Sequence, residues 1–172
     1  MTWAAGRNRP GISFFNEPSD AEADRFVKRV ERFAQAGDLA IASIHWGGNW
    51  GYEVARSSVR FAHRLIDAGL ALVHGHSSHH PRAMEVYRDR LILYGCGDLL
   101  TDYEGIRGYE EFRPQLALMY FPTLTDRGEL ADLRLTTVNV RRFQATIADE
   151  SDARWLRDRL AEHAIESDDS RR

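Results

Sequence analysis

Five histidines lie where two apolar, strand-like segments meet glycine. His45 ends the apolar segment 39–45 and is followed by Trp46-Gly47-Gly48. The second segment, 70–73, runs into a loop that holds His74, His76, His79 and His80. A buried parallel strand that ends in such a loop places an imidazole at the edge of the sheet, where open α/β sheets bind ligands. Because imidazole is the commonest protein ligand of transition metals, the pattern predicts a metal site between two strand ends.

The alternative is that these histidines are structural. A single histidine after a strand is more often a hydrogen-bonded core residue than a ligand. Four histidines within seven residues are rarely needed for packing, which favours a metal. Gly75 and Pro81 make this segment a loop, so its H-x-x-H spacing is not the helical zinc-protease motif. Asp98 and Asp102 could add carboxylates, although turn capping is the preferred interpretation for both.

Cys96 is the lone cysteine and a second candidate for chemistry. It lies between two glycines and could act as a nucleophile beside a histidine. A small residue in a tight turn explains it equally well. The sequence contains no G-x-S-x-G elbow and no G-x-x-x-x-G-K-[ST] phosphate loop.

The elements that position these residues follow from apolar spacing. A first helix begins at a capping box of Ser19 and Glu22, and its apolar pattern extends to Ala34. A strand, a helix and a strand at 39–45, 54–68 and 70–74 then predict a parallel βαβ unit. After it we expect antiparallel hairpins and a last helix, at 84–94, 115–143 and 152–163. The fold class is α/β, with a single domain over 1–163 and a disordered tail at 164–172.

Composition excludes several classes. The net charge of −3 argues against nucleic acid as a partner. No segment approaches the ~20 apolar residues of a membrane span, and the first residues lack the apolar core of a secretory signal, so we expect a cytoplasmic protein. Lys28 is the only lysine among 23 basic residues, which leaves 22 arginines. Some of them could bind a carboxylate or phosphate through the planar guanidinium group, but the sequence does not indicate which arginines these are.

Several motifs occur together in order, and they resemble one family. The segments are 44–48, 61–69, 73–79, 85–87 and 94–102. Over about residues 3–143 this set resembles the CapA family of capsule-synthesis and poly-γ-glutamate biosynthesis proteins. That family is similar to calcineurin-like metallophosphatases. The resemblance therefore implies part of a four-layer α/β/β/α sandwich, in which a parallel βαβ unit is followed by antiparallel hairpins.

The resemblance also implies roles for particular residues. The implied metal ligands are His45, His76 and His79, and the metal is divalent: Mn, Fe or Zn. Candidates for supporting or pocket positions are His74, His80, Asn49, Asp98 and Asp102. Family members commonly have Ser-Leu-Gly-Asn-Phe where this chain has Gly-Cys-Gly-Asp-Leu at 95–99.

The early motifs of the family are absent from this sequence. It contains no D-x-H and no G-N-H-[DE]. The chain therefore resembles the C-terminal half of the family fold, a fragment with an incomplete metal site. Expected partners are a polypeptide that supplies the N-terminal half and an anionic polymer or phosphorylated substrate. If active, the protein would be a metal-dependent hydrolase; the alternative is a non-catalytic polymer-binding or scaffold subunit with a vestigial site.

Overall fold

The structure is a computed structural model that describes residues 3–101 and 106–165. Its helices are α1 (Asp20–Val30), α2 (Arg56–Asp67) and α3 (Glu150–Glu162), and a 3-10 turn covers Glu110–Phe112. Its strands are β1 (Ile41–His45), β2 (Leu72–His76), β3 (Met84–Tyr87), β4 (Arg90–Leu93), β5 (Leu116–Leu124), β6 (Leu130–Arg141) and β7 (Gln144–Ile147).

The first sheet contains the predicted βαβ unit. Its strand order is β1-β2-β4-β3, with β1, β2 and β4 parallel and β3 antiparallel to β4. Strands β1 and β2 pair in register from Ile41 opposite Leu72 to His45 opposite His76. The carboxyl ends of these two strands therefore meet at one edge, as the sequence predicts.

Helices α1 and α2 cover one face of this sheet. The apolar stripe of α2 is buried, and it packs on Ile44 of β1 and Val73 of β2. Gly69 ends α2 in the left-handed conformation, with a φ of 99°, which a glycine adopts without a steric cost. Ser19 caps α1 by accepting a hydrogen bond from the backbone N–H of Glu22, at 3.3 Å.

Helix α1 is shorter than its apolar pattern suggests. It ends at Val30 and not near Ala34, and turns follow it. Phe33 is 78% exposed, so burial does not hold the last predicted turn in helical form. An apolar stripe stabilises a helix when it packs against another element.

The second sheet is antiparallel and covers part of the other face of the first. Its order is β5-β6-β7. Leu72, Leu91 and Leu93 of the first sheet pack against Tyr120, Leu130 and Leu133 of the second. Helix α3 packs through Leu156 on Leu116 and Leu118 of β5. A helical layer, a largely parallel sheet and a packed antiparallel sheet confirm the predicted α/β class and agree with a partial sandwich.

The second sheet does not cover β1, so the face of β1 that points away from the helices is open to solvent. Ile41, Ser43 and His45 are exposed, while Ala42 and Ile44 point into the helical core. The two predicted site strands therefore turn a polar, accessible face away from the helices. Near the other end of the chain, Ile165 packs against the core. Residues 166–172 of the predicted tail lie outside the described residues.

Candidate metal and ligand site

The strand ends bring two of the predicted ligands together. His45 ends β1 and His76 ends β2, and their ring centroids lie 5.1 Å apart with the planes at 74°. Paired residues of neighbouring strands point to the same side of a sheet. Both rings therefore lie on the open face, where a ligand could reach them from solvent.

His74 lies two residues before His76 in β2, on the same face of the sheet but further from the strand end. Its Nδ1 atom is 3.0 Å from the hydroxyl of Ser43, and its ring centroid is 5.5 Å from that of His76. Burial lowers the pKa of His74. Burial also lowers the pKa of His76, and the neighbouring His74 and His45 lower it further. These effects favour neutral imidazoles, the form that binds a cation.

His79 belongs to the loop after β2. Its Nδ1 atom lies 2.7 Å from Oδ2 of Asp98, and its backbone N–H donates to the carbonyl of Asn49 at 3.0 Å. Asp98 follows β4, so this contact joins two loops at the same edge of the sheet. Asn49 exposes its side chain and serves here through its backbone. Asp102 lies outside the described residues.

His80 is buried and faces the interior of the loop cluster. It is 0% exposed, and its Nδ1 atom is 3.0 Å from the carbonyl of Pro81. Its ring stacks on Phe112 at 4.8 Å and meets the ring of Tyr52 at 4.6 Å. Burial lowers the pKa of His80 to about 4. His80 therefore packs inside the loop cluster, and its supporting or pocket role stays a prediction.

An aromatic cluster around the two loop histidines has no signature in the sequence. Trp50 stacks on Tyr109 at 4.2 Å with nearly parallel planes, and it lies 5.3 Å from His79. Tyr52 stacks on His163, the residue that ends α3, at 4.7 Å. The members come from distant segments, so no spacing rule could have found them. Trp50, which follows Asn49 in the chain and contacts the ring of His79, is the member that joins the two loops.

Arg82 and Gly75 hold the backbone near the strand ends. The buried guanidinium of Arg82 donates to the carbonyls of Gly48 and Trp50, at 2.7 and 3.1 Å. A Cβ atom on Gly75 would lie 2.5 Å from Nε1 of Trp46 and 2.6 Å from the carbonyl oxygen of Tyr94. Glycine is therefore required between His74 and His76 for this close packing.

The described side chains do not assemble a complete metal site. Within residues 3–101 and 106–165, no group of three or more His, Cys, Asp or Glu side chains is placed to hold one metal ion. The rings of His45 and His76 are close enough on the open face for both to approach one ion from the same side. The three-histidine site, and the identity of its metal, stay predictions.

Two further predictions concern Cys96 and the membrane. Burial raises the pKa of the Cys96 thiol to about 12, which keeps it protonated near neutral pH and makes it a poor nucleophile. Among the described helices, none has the length and apolar content needed to cross a bilayer. The cytoplasmic location stays a prediction.

Fold and site together define an α/β protein with a histidine-bearing edge at its parallel strand ends. The sequence profile of the bacterial capsule synthesis protein family PGA_cap matches residues 1–103. The chain belongs to this family, which confirms the resemblance to CapA proteins.

Several curated relatives support the same family. A probable polyglutamine synthesis accessory protein of Mycobacterium tuberculosis is 49% identical over 162 residues, which are 92% of this chain and 42% of the relative. The capsule biosynthesis protein CapA of Bacillus anthracis is 28% identical over 137 residues, 80% of this chain and 31% of the relative. The PGA biosynthesis protein CapA of Bacillus subtilis is 25% identical over 118 residues, 69% and 28% of the two chains. The chain thus spans about two fifths of the length of the mycobacterial relative.

Proposed function

We propose that this chain carries one half of a metal-dependent site in a protein of capsule or polyglutamate synthesis. His45 and His76 would hold a divalent Mn, Fe or Zn ion, and His79 would join them from the neighbouring loop. The observation that carries the proposal is the 5.1 Å separation of the His45 and His76 rings on an open sheet face. Two neutral imidazoles at that separation can share one ion with Zn–N distances of ~2.0–2.1 Å.

The contact between His79 and Asp98 supports the same proposal. A histidine that ligates a metal almost always donates its other ring N–H to a carboxylate or carbonyl, which fixes the tautomer. Donation from Nδ1 of His79 to Asp98 would leave the lone pair on Nε2. When bound, the metal would polarise a phosphoryl or acyl oxygen and activate water.

The remaining ligands would come from another polypeptide segment. The mycobacterial relative is more than twice as long as the matched region, since that region is 42% of it. Exposed Ile41, Ser43 and His45 leave one face of β1 available for a second packing layer. We place the missing carboxylates on that segment, and we assign an acidic polymer or a phosphorylated compound as the substrate.

Metal content tests the site. Purified protein would be dialysed with Mn, Fe or Zn and then washed, and bound metal would be measured by mass spectrometry. His45→Ala, His76→Ala and His79→Ala should each lower the metal content sharply. His163→Ala, a matched histidine at the end of α3, should leave it unchanged. Equal metal content in all four variants would overturn the assignment.

A non-catalytic subunit is the second candidate function. It is favoured by the absence, among the described residues, of a complete group of ligands. Two metals per chain with phosphodiesterase activity would support the hydrolase. One metal or none, with retained polymer binding, would support a binding or scaffold subunit.

A separate measurement tests whether another polypeptide segment covers the open face of β1. Size-exclusion chromatography with an apolar dye would be run on the chain alone. An exposed site face should bind dye or promote association. A compact monomer without dye binding would count against a missing packing layer.

A further inference from the structure

A small cavity on the helical side of the first sheet contains a buried arginine that the proposed metal site does not use. It has a volume of about 170 Å³, and it lies between the glycine-rich loop after β1 and the first turn of α2. Trp46 lines this cavity and packs into the helical core, whereas the preceding residue, His45, is exposed on the open face. The cavity and the histidine edge therefore lie on opposite faces of the sheet.

Arg82 places an uncompensated positive charge in this cavity. Arginines elsewhere that lack an acidic partner are at least partly exposed to water, but Arg82 is only 7% exposed, and burial lowers the pKa of its guanidinium. Its Nη2 atom donates to the carbonyls of Gly48 and Trp50, while its Nε atom is buried without a partner. Among the described residues, none accepts a hydrogen bond from Nη1 and none forms an ion pair with Arg82. A buried charge is costly unless a counter-charge compensates it, so this site favours an anion.

The first turn of α2 adds hydrogen-bond donors to the same cavity. Its N-cap residue is Ala55, which has no side chain that could cap the helix, and no acidic residue lies in the first turn. Backbone N–H groups at the start of a helix carry partial positive charge, and they bind anions when no side chain caps them. Ser58 lies in this turn, is 8% exposed and lines the cavity, so its hydroxyl can donate as well.

Glycine at position 47 allows the guanidinium to approach the loop. Gly47 has a φ of 74°, and a Cβ atom there would lie 3.0 Å from Nη1 of Arg82. A side chain at this position would therefore be strained and would crowd the guanidinium. A glycine-containing loop between a parallel strand and the N-terminus of a helix is a position where α/β folds bind phosphate groups.

The size of the cavity restricts the ligand to a small anion. Its volume is below the ~300–1,000 Å³ of typical small-molecule sites but several times the ~30 Å³ of one water molecule. The donors come from separate segments, which suits a tetrahedral anion with several oxygens better than a planar carboxylate. Glu53 also lines the cavity and is exposed. Its carboxylate can accept the proton of hydrogen phosphate, whereas sulfate has no such proton at neutral pH.

We infer that this cavity binds a phosphate group, held by the guanidinium of Arg82, the hydroxyl of Ser58 and the first turn of α2. None of these groups is a proposed metal ligand, so the phosphate site stands independently of the metal site.

Binding of inorganic phosphate to the purified chain tests the inference. Isothermal titration calorimetry would be run in sulfate-free buffer with a chelator present, so that metal takes no part. Wild type should bind phosphate with a Kd of ~1 mM or below, and sulfate about 10-fold more weakly or worse, because repulsion from Glu53 would replace a hydrogen bond. Arg82→Gln should weaken phosphate binding about 10-fold or more, since it removes a charge-assisted contact. Ser58→Ala leaves Arg82 in place and should weaken binding about 3-fold or more.

Ser57→Ala and Arg157→Gln are the matched controls. Ser57 precedes Ser58 in the chain but does not line the cavity, and Arg157 is exposed on α3. Both variants should bind phosphate as wild type does. Circular dichroism would establish which variants are folded, and Ser58→Ala keeps the test decisive if Arg82→Gln does not fold.

The possible outcomes are distinct. No binding by wild type in the presence of chelator, or an unchanged affinity in Ser58→Ala or in folded Arg82→Gln, would overturn the site. Equal affinity for sulfate would overturn the assignment of phosphate. Phenyl phosphate distinguishes two sources of the same chemistry. Binding as tight as that of phosphate would support a phosphoryl group on a larger compound, and exclusion of phenyl phosphate would support free phosphate.

Discussion

Glu85 and His63 lie opposite each other between β3 and α2, with Nε2 of His63 3.0 Å from both carboxylate oxygens of Glu85. The hydroxyl of Tyr94 donates to the same carboxylate at 2.7 Å. Glu85 is 5% exposed, so these two partners replace the water that a carboxylate would otherwise bind. The ring of His63 also stacks on Tyr87 at 3.7 Å. This network joins the helical layer to the sheet from the side opposite the open histidine face.

Tyr94→Phe should destabilise the protein through this network. The variant keeps the stacking of the ring on Trp46 but removes the donor to a buried carboxylate. A hydrogen bond to a charged group contributes about 1.5–3 kcal/mol, and we expect a loss of that size in the free energy of unfolding. Urea unfolding at pH 7 measures it. Tyr109→Phe, on the partly exposed stack with Trp50, is the control and should cost less than about 0.5 kcal/mol.

The parallel unit of this fold was predictable, and the reason is physical. Strands β1 and β2 are short apolar runs on either side of an amphipathic helix, and short connections leave a parallel crossover as the natural arrangement. The carboxyl ends of two neighbouring parallel strands lie at the same edge of a sheet. The proximity of His45 and His76 therefore follows from the order of the elements alone.

Long-range side-chain contacts were not predictable in the same way. The network of Glu85, His63 and Tyr94 joins three elements with no characteristic spacing. The contact of His79 with Asp98 depends on where two loops fold, whereas the sequence alone favours turn capping for Asp98. The sequence also could not choose among 22 arginines, because only the fold shows that Arg82 is buried and lines a cavity.

Acid should destabilise the protein through His80. Burial lowers the pKa of His80 from an ordinary 6.5 to about 4, and the charges of Arg82 and His79 act in the same direction. Between these values the unfolded chain binds a proton that the folded chain does not, so stability is complete above pH 6.5 and falls as the pH drops toward 4. The expected slope from this group is about 1.4 kcal/mol per pH unit.

Unfolding free energies at several pH values between 7 and 4.5 would measure that slope. His80→Gln cannot titrate, so its stability should depend less on pH even if its stability at pH 7 is lower. His163→Gln changes a histidine outside the buried loop and should retain the slope of the wild type. Identical slopes in all three proteins would show that His80 is not the acid-sensitive group.

Cys96 should be slow to react in the folded protein. Burial raises its pKa to about 12, so little thiolate exists at pH 8. A thiol-reactive dye should label native protein far more slowly than protein unfolded in urea, and Cys96→Ser should leave metal content and any hydrolase activity unchanged. Rapid native labelling together with loss of activity in Cys96→Ser would instead support a cysteine nucleophile.

The two-residue turn between β6 and β7 should be a source of backbone strain. Phe143→Gly replaces a bulky residue at a φ of 56° by one that adopts this conformation readily, and it should raise the free energy of unfolding by about 1 kcal/mol. Arg142→Asn relieves strain at a φ of 53° in the same turn, because Asn adopts the left-handed region more readily than Arg, and it should also gain stability. Urea unfolding of both variants would measure the gain. Arg141→Asn is the control, since Arg141 belongs to β6 and has no positive φ, and it should gain nothing. If neither turn variant were more stable than wild type, the left-handed conformation would cost these two residues nothing.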